Sequence, residues 1–193
     1  CGHSRADCTC GRRRRHYDRC AAPFYYEGPA KQAVLFLKEE KDPHRVEVLA
    51  DEMAAVVRRE YGDIAFDGVV PVPMTEAELK ARGYNQSLLL AAALNERLDL
   101  PLWQPLVKQF ETAPQKSLPA MERSGNVLGA FDLKAGWNVE GASVLLADDV
   151  VTTGSTLSEC ARTLLTAGAA EVVCVTLAQA RKDRPEKPRK TAK

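Results

Sequence analysis

The run VLLADDVVTTGSTL at positions 144–157 constrains the fold more than any other part of this chain. The apolar segment Ser143–Ala147 predicts a buried strand that ends at two adjacent acids, and a loop of small and hydroxyl residues follows them. The spacing then predicts a helix over Thr156–Ala167 and a second apolar strand over Glu171–Ala178. Strand, helix and strand in this order form a βαβ unit, whose strands are parallel. We therefore predict an α/β fold with a parallel sheet that is covered by helices on both faces.

The loop in this run has the chemistry of a phosphate site. A helix N-terminus presents unpaired N–H groups and a partial positive charge, and glycine lets the backbone approach a ligand closely. Ligands of open α/β sheets bind beyond the carboxyl ends of the strands, where this loop is placed. Two carboxylates would repel a phosphate unless they face ribose hydroxyls or Mg²⁺. A ribose 5-phosphate fits this order of groups; the alternative is a plain helix cap with solvent-facing acids. The residues concerned are Asp148 and Asp149, then Thr152, Thr153, Gly154, Ser155 and Thr156.

The remaining periodicities place other elements around this unit. Apolar residues at helical spacing predict helices over 30–40, 43–61 and 86–98, and the run Asp67–Pro73 predicts a buried strand that leads into a loop. Ala22–Tyr26 is interpreted as a short strand or an extended linker, and Phe131–Leu133 as the start of another strand. The segment from Val107 to Gly129 has little periodicity, which predicts a long mobile loop.

Cysteines are concentrated at the amino end. Four of the six Cys lie in the first twenty residues, with Cys1, Cys8 and Cys10 preceding Cys20. Without an export signal a disulfide framework is not expected, and clustered thiols then favour a tetrahedral zinc site, for which His3 and His16 are further candidate ligands. The spacing lacks the usual pair of Cys-x-x-Cys knuckles, so a tail of free thiols is the alternative. The other two thiols, Cys160 and Cys174, lie in apolar segments and are interpreted as small core residues.

Charge and hydropathy narrow the function classes. The 193 residues carry a net charge of +1, but positions 1–20 hold six Arg against two acids and positions 181–193 hold seven Lys or Arg against two acids. Basic ends on an acidic body suit an extended polyanion, or are simply two solvated tails. No apolar run reaches the length of a membrane helix and the first twenty residues are polar, so we expect a cytoplasmic protein without membrane insertion.

Several segments together resemble a known family. The run at 144–157 is similar to the phosphoribosyl pyrophosphate (PRPP) signature of type I phosphoribosyltransferases. More closely, the chain resembles the ComF family of competence-related proteins, in which a small zinc-finger segment precedes a phosphoribosyltransferase domain. The supporting stretches are AAPFYYEGPAKQAVLFLK (21–38), VVPVPMTEAELKARGYNQSLLLA (69–91) and TAPQKSL with ERSGNVLGAF (112–131). The resemblance covers about residues 1–180 and implies a Cys-rich segment over 1–20 and the transferase-like domain over 21–180. The charged, Pro-containing composition of 181–193 predicts a basic flexible tail.

The resemblance also implies roles for individual residues. Asp148 and Asp149 would hold the ribose hydroxyls and Mg²⁺, and the loop over 152–156 would bind the 5-phosphate. Residues near the pyrophosphate end would be Arg82, Asn85 and Gln86. An arginine suits a phosphate because its planar guanidinium can donate two parallel hydrogen bonds, and Gly83 directly after it favours a loop position for Arg82. Residues of a closing loop would be Gln115, Arg123 and Asn126. Zinc would be held by Cys1, Cys8 and Cys10, although the amino end departs from the family's two-knuckle pattern.

Two functions from different classes follow. The first is a Mg²⁺-dependent phosphoribosyltransferase with an unidentified acceptor, since no nucleobase pocket is evident after the last strand. The second is a non-catalytic accessory protein of DNA uptake, in which the basic ends contact single-stranded DNA and a helicase-like protein is the partner. Both predict a ligand with phosphate groups, and they differ in whether it is turned over.

Overall fold

The computed structural model describes residues 15–39, 43–110 and 127–181. Within these ranges five helices and seven strands are present. The helices are α1 (Gly28–Glu39), α2 (Pro43–Tyr61), α3 (Glu76–Arg82), α4 (Gln86–Leu98) and α5 (Ser155–Thr166). The strands are β1 (Cys20–Ala21), β2 (Phe24–Tyr25), β3 (Gly68–Pro71), β4 (Leu106–Lys108), β5 (Phe131–Leu133), β6 (Ser143–Val151) and β7 (Glu171–Gln179). Among these helices, none is long and apolar enough to cross a membrane.

The main sheet is parallel, as the βαβ pattern predicts. Its order is β1-β7-β6-β3, and β2 pairs with β7 beyond β1. The pairs Cys20 with Cys174 and Phe24 with Ala178 keep one register, so β1 and β2 act as a single edge strand. Pro23 interrupts this edge because it has no N–H to donate. The segment Ala22–Tyr26, interpreted from the sequence as a short strand or linker, thus belongs to an edge strand that begins two residues earlier, at Cys20.

Two apolar layers cover the sheet. Successive residues of a strand point to opposite faces, so Leu145 and Val173 face one layer while Val144 and Leu146 face the other. Helices α1, α2 and α4 supply the first layer, including Val34, Met53 and Leu94. Helix α5 and strands β4 and β5 supply the second. The α/β class is therefore confirmed, and Cys160 and Cys174 are fully buried free thiols within the second layer.

Three local predictions need correction. The acids Asp148 and Asp149 lie inside β6 rather than after it, because the strand continues its pairing with β7 to Val151. Val107 and Lys108, predicted as loop, belong to β4, which pairs antiparallel with β5 in a separate small sheet. Such a three-residue strand is too short to show any period in the sequence.

Helix α3 is the third correction. Arg82 is its last residue and not a loop residue, and Gly83 follows as the C-cap with a left-handed φ of 82°. A signal was present in the sequence, because Thr75 and Glu78 form a capping box in which each side chain bonds to the other's backbone N–H.

Candidate active site

A cavity of about 830 Å³ lies at the carboxyl ends of β3 and β6. The predicted residues that border it are Asp148, Asp149, Thr152, Gly154, Ser155, Thr156, Arg82 and Gln86. Two stretches far apart in the chain, 82–86 and 148–156, thus meet at one place. This arrangement follows from the β3–β6 pairing, in which Pro71 is opposite Ala147.

The two acids are held by different partners. Asp148 is buried, and its Oδ1 accepts hydrogen bonds from Ser87 Oγ at 2.7 Å and from the Asp149 N–H at 2.9 Å. Burial and the neighbouring charge of Asp149 raise the pKa of Asp148 to about 7, although the Ser87 hydrogen bond opposes this. At neutral pH the pair therefore carries less than two full negative charges.

Asp149 is balanced by a residue that sequence reasoning missed. Lys38, at the end of α1, places its Nζ 2.7 Å from Asp149 Oδ2, and this oxygen is buried. The contact is an ion pair without the alignment of a hydrogen bond. The lysine joins the cavity through a contact between positions 111 apart, for which no local pattern gives a signal.

Carboxylate oxygens are the ligand type that Mg²⁺ prefers, so the donor chemistry of Asp148 and Asp149 fits this ion. Within the described ranges, no three His, Cys, Asp or Glu side chains converge on one point. The two acids would therefore hold Mg²⁺ only together with oxygens of the substrate or of water. The Lys38 ammonium would also have to leave Asp149 Oδ2 for a cation to bind there.

The loop after β6 leads into the N-terminus of α5, which has features of an anion-binding site. Gly154 is the N-cap of α5, has a left-handed φ of 75° and provides no side chain to cap the helix. The hydroxyls of Thr153 and Ser155 lie 2.9 Å apart, and the Ser155 N–H approaches Thr153 Oγ1 at 3.4 Å. Thr153 is not among the residues that border the cavity, whereas Thr152, Gly154, Ser155 and Thr156 are. The amides at the start of a helix whose N-cap is glycine suit a phosphate.

Basic side chains also border the cavity. Arg82 Nη1 donates to Gln86 Oε1 at 2.7 Å, and both residues border the cavity. Lys108, which was predicted as loop, also borders it and forms an ion pair with Glu78 at 2.6 Å. Three cationic side chains, Lys38, Arg82 and Lys108, border the cavity together with three acids, Glu78, Asp148 and Asp149. Both lysines are paired with acids, whereas Arg82 donates to a neutral amide, so Arg82 is the cation best suited to an anionic ligand.

Asn85 has a structural position. It is the N-cap of α4, its Oδ1 accepts from the N–H groups of Ser87 and Leu88, and its Nδ2 donates to the Val72 carbonyl at 3.0 Å. Asn85 is not among the residues that border the cavity, so it holds the loop after β3 against the start of α4. Tyr84 is likewise a packing residue, since its hydroxyl donates to the Leu37 carbonyl at 2.8 Å.

Other predicted site residues lie outside the described ranges. These are Gln115, Arg123 and Asn126 of the closing loop, and Cys1, Cys8 and Cys10 of the zinc site. The fourth amino-terminal cysteine, Cys20, lies in β1, where it is opposite Cys174 in the register of β1 with β7, and both are free cysteines. His16 contacts the body of the protein, because its backbone N–H donates to Ser158 Oγ at 3.0 Å.

Comparison with known families identifies the domain. The model of the phosphoribosyl transferase domain matches residues 85–193, which is more than half of the chain. The chain belongs to this phosphoribosyltransferase domain family. The match includes Asp148, Asp149 and the loop over 152–156.

Relatives of this phosphoribosyltransferase domain have names connected with DNA. Competence protein F of Haemophilus influenzae is 38% identical over 116 residues, 59% of this chain and 51% of that protein. DNA utilization protein YhgH of Escherichia coli is 39% identical over 117 residues, 60% of this chain and 50% of that protein. Competence protein ComFC of Bacillus subtilis is 30% identical over 150 residues, 78% of this chain and 59% of that protein. The chain spans about half the length of the curated relatives it matches. These names support the resemblance to the ComF family.

Similarity to solved structures is weaker. Adenine phosphoribosyltransferase from Saccharomyces cerevisiae has a TM-score of 0.48 and 14% identity, with 72% of this chain and 70% of that chain covered. Purine phosphoribosyltransferase from Pyrococcus horikoshii has a TM-score of 0.45 and 17% identity, with 68% and 74% covered. Because both scores lie below 0.5, the assignment to the family depends on the sequence match.

Proposed function

We propose that this cavity binds PRPP together with Mg²⁺ and that the chain transfers the phosphoribosyl group to an acceptor. The observation that carries the proposal is the presence, around one cavity, of two buried acids, a helix start with a glycine N-cap and three cationic side chains. Each matches one part of the ligand: the ribose hydroxyls, the 5-phosphate and the pyrophosphate.

In this proposal the protein acts mainly by positioning. The loop over 152–156 would hold the 5-phosphate, and the Asp148 and Asp149 carboxylates would accept hydrogen bonds from the ribose hydroxyls. Arg82 and Lys108 would orient the leaving pyrophosphate, whose negative charge grows as its bond to C1 of the ribose breaks. Mg²⁺, when bound, would supply further stabilisation of that charge. Gln115, Arg123 and Asn126 would cover the reacting centre and exclude water.

Ligand-induced stabilisation tests the binding step. A ligand at about 100 times its Kd stabilises a protein by about 2.7 kcal/mol, which for a chain of this size raises Tm by about 5–10 °C. We expect this rise with PRPP and Mg²⁺ and expect Asp149→Asn to reduce it strongly. The matched control is Asp132→Asn, which changes an exposed acid on β5. No rise at millimolar PRPP with Mg²⁺ would refute the site.

Turnover is tested separately. Release of pyrophosphate from PRPP would be measured with ammonia, purine bases and pyrimidine bases as acceptors. Release that depends on the acceptor and is lost in Asp149→Asn supports the transferase. Binding without release for any acceptor favours the non-catalytic alternative.

That alternative is favoured by one specific observation, the names of the relatives. In it the PRPP-like cavity is a binding module for a phosphate-rich end, a helicase-like protein is the partner, and Arg12–Arg15 with the 181–193 tail contact single-stranded DNA. The affinity for an oligonucleotide should then fall steeply with salt. A slope near zero, or one unchanged after deletion of residues 182–193 and neutralisation of Arg12–Arg15, would reject this account.

Zinc is a separate proposal. Cys1, Cys8 and Cys10 with a fourth ligand would hold one ion in a tetrahedral site. Metal analysis of the purified protein, before and after replacement of Cys8 and Cys10 by Ser, decides it. A protein without stoichiometric zinc would refute the proposal.

A further inference from the structure

Three consecutive residues before β1 lie against the phosphate loop. Arg15 Nη2 donates to the Thr153 carbonyl at 2.8 Å, across 138 positions of the sequence. The N–H of the next residue, His16, donates to Ser158 Oγ in the first turn of α5. Tyr17 is buried in the second apolar layer, and its hydroxyl accepts from Arg15 Nη1 at 2.5 Å. We call Arg15 and Tyr17 the brace.

The brace and Gly154 are fitted to one another. A Cβ at position 154 would lie 2.5 Å from Tyr17 Oη and 3.2 Å from Arg15 Cζ. Contacts this short leave room only for a hydrogen atom at this position. Glycine is therefore needed twice: it allows Arg15 and Tyr17 to lie close to the backbone, and it adopts the left-handed φ of 75°. Burial raises the pKa of the Tyr17 hydroxyl, so this group is neutral, and the lone pairs of its oxygen accept from Arg15.

The peptide bond between Thr153 and Gly154 transmits this contact to the cavity. In a planar trans peptide the carbonyl and the N–H point in opposite directions. Gly154 borders the cavity, whereas Arg15 and Tyr17 are not among the residues that border it. Arg15, which does not border the cavity, holds the Thr153 carbonyl. We infer that the opposed Gly154 N–H is the group of this peptide that faces the ligand.

We propose that Arg15 and Tyr17 are positioning residues that hold the 153–154 peptide in the orientation that binds phosphate. The inference rests on the proposed function, because it assigns the brace a role in PRPP binding. It extends the site to a segment outside the matched family model, which begins at residue 85. The brace acts through the backbone and has no contact with the ligand itself.

The chain offers matched controls for both residues. Tyr61 is also buried, its hydroxyl donates to the Cys174 carbonyl at 3.0 Å, and Arg19 lies over its ring as Arg15 lies over the ring of Tyr17. Arg19, like Arg15, donates to a backbone carbonyl, that of Glu60. Neither control residue borders the cavity. Tyr61→Phe and Arg19→Gln thus remove comparable groups away from the loop.

The experiment is calorimetric titration of the full chain and its variants with PRPP and Mg²⁺, with urea unfolding measured alongside. Loss of the hydrogen bond that orients the peptide should raise Kd about tenfold in Arg15→Gln, and by several-fold in Tyr17→Phe, which leaves the charge unchanged. Arg15→Lys, which keeps the charge but lacks the fork, should give an intermediate Kd. The Gly154 amide resonance should shift in Arg15→Gln and Tyr17→Phe and stay in place in the two controls.

The outcomes separate the two proposals. Wild-type protein that does not bind PRPP rejects the proposed function and the role of the brace with it. Wild-type protein that binds, with Arg15→Gln and Tyr17→Phe binding equally well, rejects the brace alone. If Tyr61→Phe and Arg19→Gln weaken binding as much, the effect is general destabilisation and the brace is also rejected. An effect of Arg15→Gln that disappears at high salt, with none in Tyr17→Phe, would show a simple charge effect and overturn the positioning role.

Discussion

Replacement of Gly154 by alanine should destabilise this protein more than the same replacement at any glycine with open space beside it. An alanine held at the left-handed φ of 75° lowers the free energy of unfolding by about 1–2 kcal/mol. Alanine also reduces the conformational entropy of the unfolded chain, which raises the free energy of unfolding by about 0.4–1 kcal/mol. The new Cβ would also lie 2.5 Å from Tyr17 Oη. Overpacking of this kind costs about 1–3 kcal/mol. The expected net loss is about 2–3 kcal/mol, because the buried Tyr17, bonded to Arg15, has little freedom to withdraw.

Urea unfolding measures this loss, with Gly141→Ala as the control. Gly141 has a similar φ of 70°, and among the described residues nothing lies within 4 Å of a Cβ placed there. Gly141→Ala should therefore cost only about 1 kcal/mol. In thermal unfolding, Gly154→Ala should lower Tm by about 5–10 °C.

A double variant isolates the contact with the tyrosine hydroxyl. Tyr17→Phe removes the atom nearest to the added Cβ, so Gly154→Ala should cost about 1 kcal/mol less in that background than in the wild type. Equal losses for Gly154→Ala and Gly141→Ala, or strictly additive effects in the double variant, would refute the reasoning.

Three further predictions concern single contacts. Lys38→Gln should destabilise the protein by about 1–3 kcal/mol, because it leaves the buried charge of Asp149 without its ammonium partner. Added Mg²⁺ should then raise Tm more in the variant than in the wild type, because Lys38 no longer competes for Asp149. An equal rise in both proteins would contradict the ion-pair account. Asn85→Ala should cost about 1–2 kcal/mol through loss of the N-cap of α4, measured by urea unfolding. Burial alone would raise the pKa of Glu159, but hydrogen bonds from Arg162 and from a backbone N–H outweigh it and lower that pKa below 4.5. The stability from Glu159 is therefore present above pH 4.5 and lost as the pH falls through the lowered pKa, so Glu159→Gln should be destabilised at pH 7 and equal to the wild type in strong acid.

Much of the site was predictable because its parts are local. The two acids, the glycine and the helix start lie within one run at 144–157, and strand, loop and helix follow from spacing alone. The bounds of α4 were predicted for the same reason, since its apolar residues repeat at helical spacing. Helix α3 could also have been predicted, because its capping box is a local pattern.

Strand β4 and the full length of β6 were not predicted from the sequence. Strand β4 has three residues and obtains its partner, β5, from a segment more than twenty residues away. The extension of β6 through the two acids depends on pairing with β7, and the carboxylates tolerate strand geometry there because Ser87 and Lys38 compensate for their burial. Neither pairing can be inferred from the local spacing of apolar residues.

Sequence alone determined the α/β class, the order of acids, loop and helix, and the place of that loop at the end of a parallel strand. Tertiary structure decided which charges meet there: Lys38 reaches Asp149 from α1, Lys108 reaches the cavity from β4, and Arg15 reaches the Thr153 carbonyl across 138 positions. The physical reason is the range of the forces involved. Backbone conformation and apolar periodicity act over a few residues, whereas ion pairs and close contacts depend on how distant elements pack.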